Sequence, residues 1–335
     1  MRSILTKFLV GLAAVLTLIV SAPIALHIYS VVTGAQVMAN AGEEEDWQLS
    51  DILSRLSILP RRTHDRPLVA VIVENHEDAR PHQTGLKGAL LIAEFFVEGG
   101  ISRFAVLHDL RSLPETIGPV RSLRPYFVDA LAPWINVILF AGGSPEAFER
   151  LDTVPTLWHF NGLGFPQHFV RDEDIAAPHN LFLPGDKAQD LIHDDVKTVR
   201  WPPYSLGRQQ SGSSALLISL DFLSSTHDVT FEFNRLTHSY TRTNGDIVSE
   251  AHPQNVLILE APIAGVGEHG RLTIPLTGRG DALLFRGGTI LRGIWKKSAN
   301  ASSFTFEDTD GDPMRFGSGQ TWMVVLPTLR RVSWN

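Results

Sequence analysis

Apolar positions fall in three regimes along the chain. Phe8 to Ile28 is 21 residues of nearly unbroken apolar character, interrupted by Thr17, Ser21, Pro23 and His27. At 1.5 Å per residue such a helix is roughly 31 Å long, enough to cross a bilayer. Trp47 to Leu59 then carries Leu49, Ile52, Leu53, Leu56 and Leu59 at helical spacing before Pro60, which predicts a short amphipathic stem, with Arg61 to His64 as linker. From Pro67 the pattern changes. Leu68–Val73 is a wholly apolar run of strand length, suited to the middle of a sheet and ending at Glu74-Asn75-His76. Phe95–Val97 and Ile101–Leu107 flank Gly99-Gly100, two glycines that accept the positive φ of a tight hairpin turn. Pro119–Leu131 reads as helix, Ile135–Phe140 as a buried strand, and Ser144-Pro145 as an N-cap followed by proline at the first helical position.

After Trp201-Pro202-Pro203 short strands separated by turn residues dominate, among them Val229–Phe233, Ser239–Arg242, Val256–Leu259, Leu283–Phe285 and Trp322–Leu326. Asn244-Gly245 is the strongest hairpin signal, and only Ser219–Ser225 suggests a helical turn. The predicted class is a mixed α/β (α+β) N-terminal domain over residues 66–200 and a mainly antiparallel β C-terminal domain over 201–335. A signal-anchor segment and its flank, 1–42, and a stem and linker, 43–65, precede them. Separate hydrophobic cores are expected on the two sides of residue 201.

Charge orients the first segment. Arg2 and Lys7 precede the apolar run, whereas Glu43, Glu44, Glu45 and Asp46 follow it. The positive-inside rule therefore puts the N-terminus in the cytoplasm and residues from about 40 onward outside, in a single-pass protein of the cell membrane. A cleaved signal peptide is the competing reading, with small residues at Thr33-Gly34-Ala35 or Ala39-Asn40-Ala41. Removing residues 1–42 takes away Arg2 and Lys7 and no acid, leaving 27 basic against 36 acidic residues. Nucleic acid is thus not an expected partner. With no cysteine, thiol nucleophiles, thiolate metal sites, disulfides and a lipid-modified cysteine are all excluded.

A series of motifs carries a family resemblance: Val69–Asn75, Ala79-Arg-Pro-His-Gln-Thr-Gly85, Val97-Glu-Gly-Gly-Ile-Ser-Arg-Phe104, Ile117-Gly-Pro-Val-Arg-Ser-Leu-Arg-Pro-Tyr-Phe127, Ala141–Ala147 and Ala177-Pro-His-Asn180. His238-Ser-Tyr-Thr-Arg242, Phe285-Arg-Gly-Gly288, Gly293-Ile-Trp295 and Gln320-Thr-Trp322 continue it. Over about residues 66–327 the chain resembles the YerB-like family of bacterial surface lipoproteins. The resemblance implies two domains on the outer face of the membrane and supplies no activity or catalytic residue. The missing cysteine departs from the lipoprotein pattern, so a protein anchor would replace the lipid.

The most suggestive chemistry is a set of arginines, Arg80, Arg103, Arg121, Arg124 and Arg171, each beside Gly, Pro or Ser or at a predicted element end, with Asn75 and Asn180 nearby in the same motifs. Guanidinium forks bind phosphate or carboxylate bidentately. The competing reading is internal pairing with Glu94, Glu98, Asp129 and Asp172. Arg121 and Arg124, three apart on the predicted helix, would share one face as a clamp, although Pro125 disfavours helical geometry at Arg124. Glu94 and Glu98 invite a two-carboxylate hydrolase reading, but four strand residues separate them by about 13 Å. His179 is a candidate general base.

Other motifs carry less. Gly265–Gly270 has dinucleotide spacing but runs into a predicted strand, and Asp308–Asp312 reads as a turn rather than a calcium loop. His159, His168, His179 and His193 lack the His-x3-His spacing of a helical metal site, so neither metal nor cofactor is expected. Two functions remain open. One is a membrane-anchored extracytoplasmic binding module with an Arg-lined cleft, for an anionic small molecule, glycan or protein of the envelope. The other is a cell-envelope hydrolase or transferase acting on a phosphorylated or acidic glycan or lipid-linked substrate.

Overall fold

The computed structural model describes residues 64–335 except 193–195, 223 and 266–269. The expected anchor Phe8–Ile28 and stem Trp47–Leu59 therefore lie outside the described residues; among those described, no helix is long and apolar enough to cross a membrane. Part of the expected linker is structured, since His64–Arg66 is a strand paired antiparallel with Val199–Trp201.

The first half contributes β1 (Leu68–Glu74), β2 (Leu91–Phe96), β3 (Ser102–Asp109), α1 (Pro125–Leu131), β4 (Val137–Phe140), α2 (Pro145–Asp152), β5 (Trp158–Asn161) and α3 (Gly185–Leu191). The second half adds β6 (Ser213–Ser214), β7 (Leu217–Leu220), β8 (Val229–Asn234), β9 (Ser239–Asn244), β10 (Ile247–Val248) and β11 (Asn255–Glu260). Then come β12 (Gly278–Arg286), β13 (Thr289–Lys297), β14 (Thr305–Asp308), β15 (Thr321–Leu326) and β16 (Val332–Trp334). The fold is predominantly β with few helices, and several elements follow their local signals. The hairpin β2–β3 turns at Gly99 and Gly100, both at positive φ. Ser144 caps α2 by accepting a hydrogen bond from the Ala147 N–H, with Pro145 next. Gly245, at φ 58°, turns β9 into β10. Among the described residues of Ser219–Ser225 no helical turn is formed; the first two belong to strand β7.

The expectation of separate cores is overturned. One eleven-stranded mixed sheet runs β6-β13-β12-β11-β15-β2-β3-β1-β4-β5, with β14 beside β13, and so crosses from one half of the sequence to the other. The junction is β15, which pairs in parallel with β11 on one side and β2 on the other. Its wholly buried Thr-Trp-Met-Val-Val-Leu sequence needs apolar cover on both faces, and only a central position provides that. Alternate side chains of β1 enter different cores. Leu68, Ala70 and Ile72 pack with Phe127 and Leu131 of α1 and with Trp295, Phe304 and Phe306 from the second half. Val69, Val71 and Val73 pack with Ile218, Phe231 and Tyr240, which belong to the second sheet, β10-β9-β8-β7-β16. Both cores draw on both halves, so the described residues from 64 to 335 form one compact unit.

The helix expected over Pro119–Leu131 begins only at Pro125. Arg124 is its N-cap at φ −129°, ψ 152°, the extended geometry that a following proline ring imposes. Residues before it run extended along β1, with the Arg121 N–H donating to the Ile72 carbonyl. Arg121 and Arg124 therefore do not share a helical face.

Candidate functional site

Because β1 is apolar through Val73, its first polar side chains fall at its carboxyl end, where ligands of open α/β sheets bind. Glu74 is buried, and its two carboxylate oxygens are divided between two groups: Oε1 lies 2.9 Å from Arg121 Nε, and Oε2 lies 2.9 Å from His179 Nδ1. Arg121 arrives on the extended segment along β1. His179 comes from the loop before Leu181, whose carbonyl accepts the Val120 N–H. The His179 ring stacks on His76 with centroids 5.0 Å apart, and its Nε2 stands 3.9 Å from the exposed Asp78 carboxylate. His76 Nδ1 is 3.4 Å from the same carboxylate.

Arg103 faces Glu74 across the β1–β3 ladder. Its guanidinium is buried and donates to the Ser122 carbonyl at 2.6 Å, while Nε has no hydrogen-bond partner among the described residues. Burial first, then the charges of Arg124 and Arg121, pull its pKa down to about 10, so it stays protonated at neutral pH. Arg124 forms a bidentate pair with Glu98, at 2.6 and 2.9 Å. Burial alone would raise the Glu98 carboxyl; the Arg124 hydrogen bonds outweigh it and hold the group below its ordinary range. Glu98, Ser122, Arg124, Gly143, Ser144 and Arg271 line a cavity of about 350 Å³.

The remaining predicted residues take other places. Arg80 donates to the Thr226 carbonyl and contacts the His227 ring. Arg171 donates to Asn180 Oδ1 at 2.7 Å, and Asn180 Nδ2 reaches the Asp172 carbonyl. Asn75 donates to Ser102 and Asn244 and accepts from Gln83, which makes it part of a buried network between the halves. Glu94 belongs to that network too: it accepts from Arg242, Ser102 and Trp322, all buried. Glu94 and Glu98 share no partner, so no two-carboxylate site is assembled. Nor do Arg121 and Arg124 share an acid: one meets Glu74, the other Glu98.

Sequence reasoning missed His76 and Asp78. The available signal was the abrupt polar stretch Glu74-Asn-His-Glu-Asp78 directly after an all-apolar central strand.

Comparison with known proteins agrees with the motif series. Residues 55–197 match the model described as "Protein of unknown function (DUF3048) N-terminal domain", and residues 218–323 match its C-terminal domain. The chain belongs to the DUF3048 family. It is 29% identical over 295 residues to the Bacillus subtilis (strain 168) protein titled "Putative lipoprotein YerB", covering 84% of this chain and 87% of that one. The crystal structure of Bacillus subtilis YerB superposes with a TM-score of 0.72 at 29% identity, covering 81% of this chain and 94% of that chain. The two DUF3048 segments thus build one sheet here, with β15 of the second inserted beside β2 of the first.

Proposed function

We propose that this DUF3048 protein is a membrane-anchored extracytoplasmic binding module whose ligand presents an anionic group to the cavity beside Arg103, Arg121 and Arg124. The carrying observation is a charge imbalance: three neighbouring guanidiniums face two carboxylates, Glu74 and Glu98, and among the described residues buried Arg103 hydrogen-bonds only a carbonyl. A bound anion would supply the missing charge, and a partly dehydrated cavity strengthens each contact. The internal pairing of the other arginines favours binding over the hydrolase or transferase alternative. So does His179, which lines neither that cavity nor the larger one, about 570 Å³, beside Tyr126 and Asp129. Placement at the envelope rests on the apolar run Phe8–Ile28 with its charge asymmetry and on the lipoprotein title of the YerB relative; a protein anchor replaces the lipid because the chain has no cysteine.

Pyrophosphate and an anionic glycan, titrated calorimetrically into the full chain, test the ligand class. Binding should weaken at least tenfold in Arg124→Gln, which lines the cavity. Binding that is absent in the parent protein, or unchanged in that variant while its thermal stability falls, would reduce the arginines to internal struts. Fractionation with N-terminal sequencing tests the anchor: a soluble product beginning near Gln36 or Gly42 would refute it.

A further inference from the structure

We infer that His76, Asp78 and His179 form a divalent-cation site that takes zinc or a metal of similar ligand preference, with Glu74 as the outer carboxylate that orients His179. One donor atom from each of the three residues lies within 4.8 Å of the others. Two of the separations, 3.4 Å from His76 Nδ1 and 3.9 Å from His179 Nε2 to the same Asp78 oxygen, are near those of a bound ion. Tetrahedral coordination with bonds of about 2.0–2.1 Å places ligand atoms about 3.4 Å apart, so closing the set requires shifts of no more than about 1.4 Å.

Hydrogen bonding fixes where the lone pairs point. The Asp78 backbone N–H donates to His76 Nδ1 at 3.3 Å, so that nitrogen carries a lone pair. With Nδ1 donating its hydrogen to the Glu74 carboxylate, Nε2 is the His179 nitrogen turned toward Asp78 and open to a metal. Two unprotonated ring nitrogens and a carboxylate converge, and a cation would replace the long Asp78 N–H contact at His76 Nδ1. Histidine ligands of metals commonly donate their other ring hydrogen to a carboxylate, which sets ring orientation and raises basicity. Glu74 fits that role: it is buried and held from the opposite side by Arg121.

The inner ligands are adaptable where they need to be. Asp78 is 69% exposed, and His76, only partly buried, can rotate out of its stack on His179 to aim Nδ1 at the ion. Two nitrogens and one carboxylate suit zinc and leave a fourth position for water or an exogenous oxygen. The ligands come as His-x-Asp after β1 and a lone histidine about 100 residues later, so no helical His-x3-His pattern announces them.

The test uses the full chain, stripped with chelator and titrated with Zn²⁺ by calorimetry and with Co²⁺ by visible absorption. One equivalent should bind, and Co²⁺ should show the intense d–d bands of four-coordination. Asp78→Asn, at an exposed position where folding is not at stake, should weaken binding at least tenfold. His76→Gln should do the same, and Glu74→Gln, which removes no ligand, should weaken it about 10–100-fold. Absence of one-equivalent binding would overturn the inference; so would equal affinity in Asp78→Asn and His76→Gln, because the ion would then lie elsewhere. A parent protein that binds no metal would reduce His179 to a structural hydrogen-bond partner of Glu74. The titration contains no anionic ligand, so its outcome is separable from that of the pyrophosphate experiment.

Discussion

Arg242→Met probes a buried ion pair that joins the two halves of the chain. Arg242 and Glu94 are 148 residues apart in sequence, are 2% and 0% exposed, and meet through Nη2 at 2.9 and 3.2 Å. The guanidinium also lies 4.5 Å from the Trp322 ring centroid and 5.3 Å from that of Phe104. Methionine is unbranched and of similar reach, so it retains much of that packing while removing the charge. Glu94 is then left with two neutral donors, Ser102 Oγ at 2.6 Å and Trp322 Nε1 at 2.8 Å. Breaking a buried pair by removing one partner costs about 3–5 kcal/mol, because the surviving charge stays desolvated. At about 2–4 °C per kcal/mol for domains of 150–250 residues, the melting temperature should fall by roughly 6–20 °C. The double variant Arg242→Met/Glu94→Gln should recover more than half of that loss, since replacing both members removes the stranded charge. Thermal unfolding of the parent, the single and the double variants by circular dichroism is the assay. A fall below about 2 °C in Arg242→Met, or a double variant no more stable than the single, would refute the argument that an uncompensated Glu94 dominates.

Three further outcomes are expected. Burial pushes the His108 imidazole down to about 4 from 6.5, against the opposing hydrogen bond to the Gly85 carbonyl. The unfolded chain thus binds a proton that the folded chain refuses, and stability falls by about 3 kcal/mol as pH drops from 6.5 to 4. Urea midpoints across that range should show a shallower slope in His108→Gln, and an unchanged slope would contradict the assignment. A Cβ on Gly293 would lie 2.0 Å from the Glu307 carbonyl oxygen in the β13–β14 ladder, so Gly293→Ala should cost about 1–3 kcal/mol; an unaltered melting curve would sink this. Because one sheet crosses residue 201, tryptophan fluorescence and far-ultraviolet dichroism should report a single coincident transition. Two resolved transitions, or a stably folded fragment 61–200, would mean the halves are independent after all.

Local structure was legible in the chain because its causes are local. Gly99-Gly100 and Asn244-Gly245 mark hairpins since glycine reaches positive φ without penalty, Ser144-Pro145 opens a helix, and Pro125 excludes helical geometry from Arg124. The apolar runs Leu68–Val73 and Trp322–Leu326 required burial on both faces wherever they were placed. Strand order was a different matter. Backbone ladders are nearly indifferent to side-chain identity, so nothing in Trp322–Leu326 itself names β11 and β2 as neighbours, and the turn-rich stretch after Trp201 gave no sign that one sheet continues across it. Charge partners follow strand order. Glu94 could be read as an acid available to some arginine, but only the packing of the second sheet on the crossing sheet brings Arg242 of β9 to it. Likewise the polar residues after β1 were visible one by one; it took the return of the chain at His179 to set an imidazole between Glu74 and Asp78. Periodicity records which face of an element avoids water, whereas pairing across 100 or more residues is decided by the packing that buries those faces together.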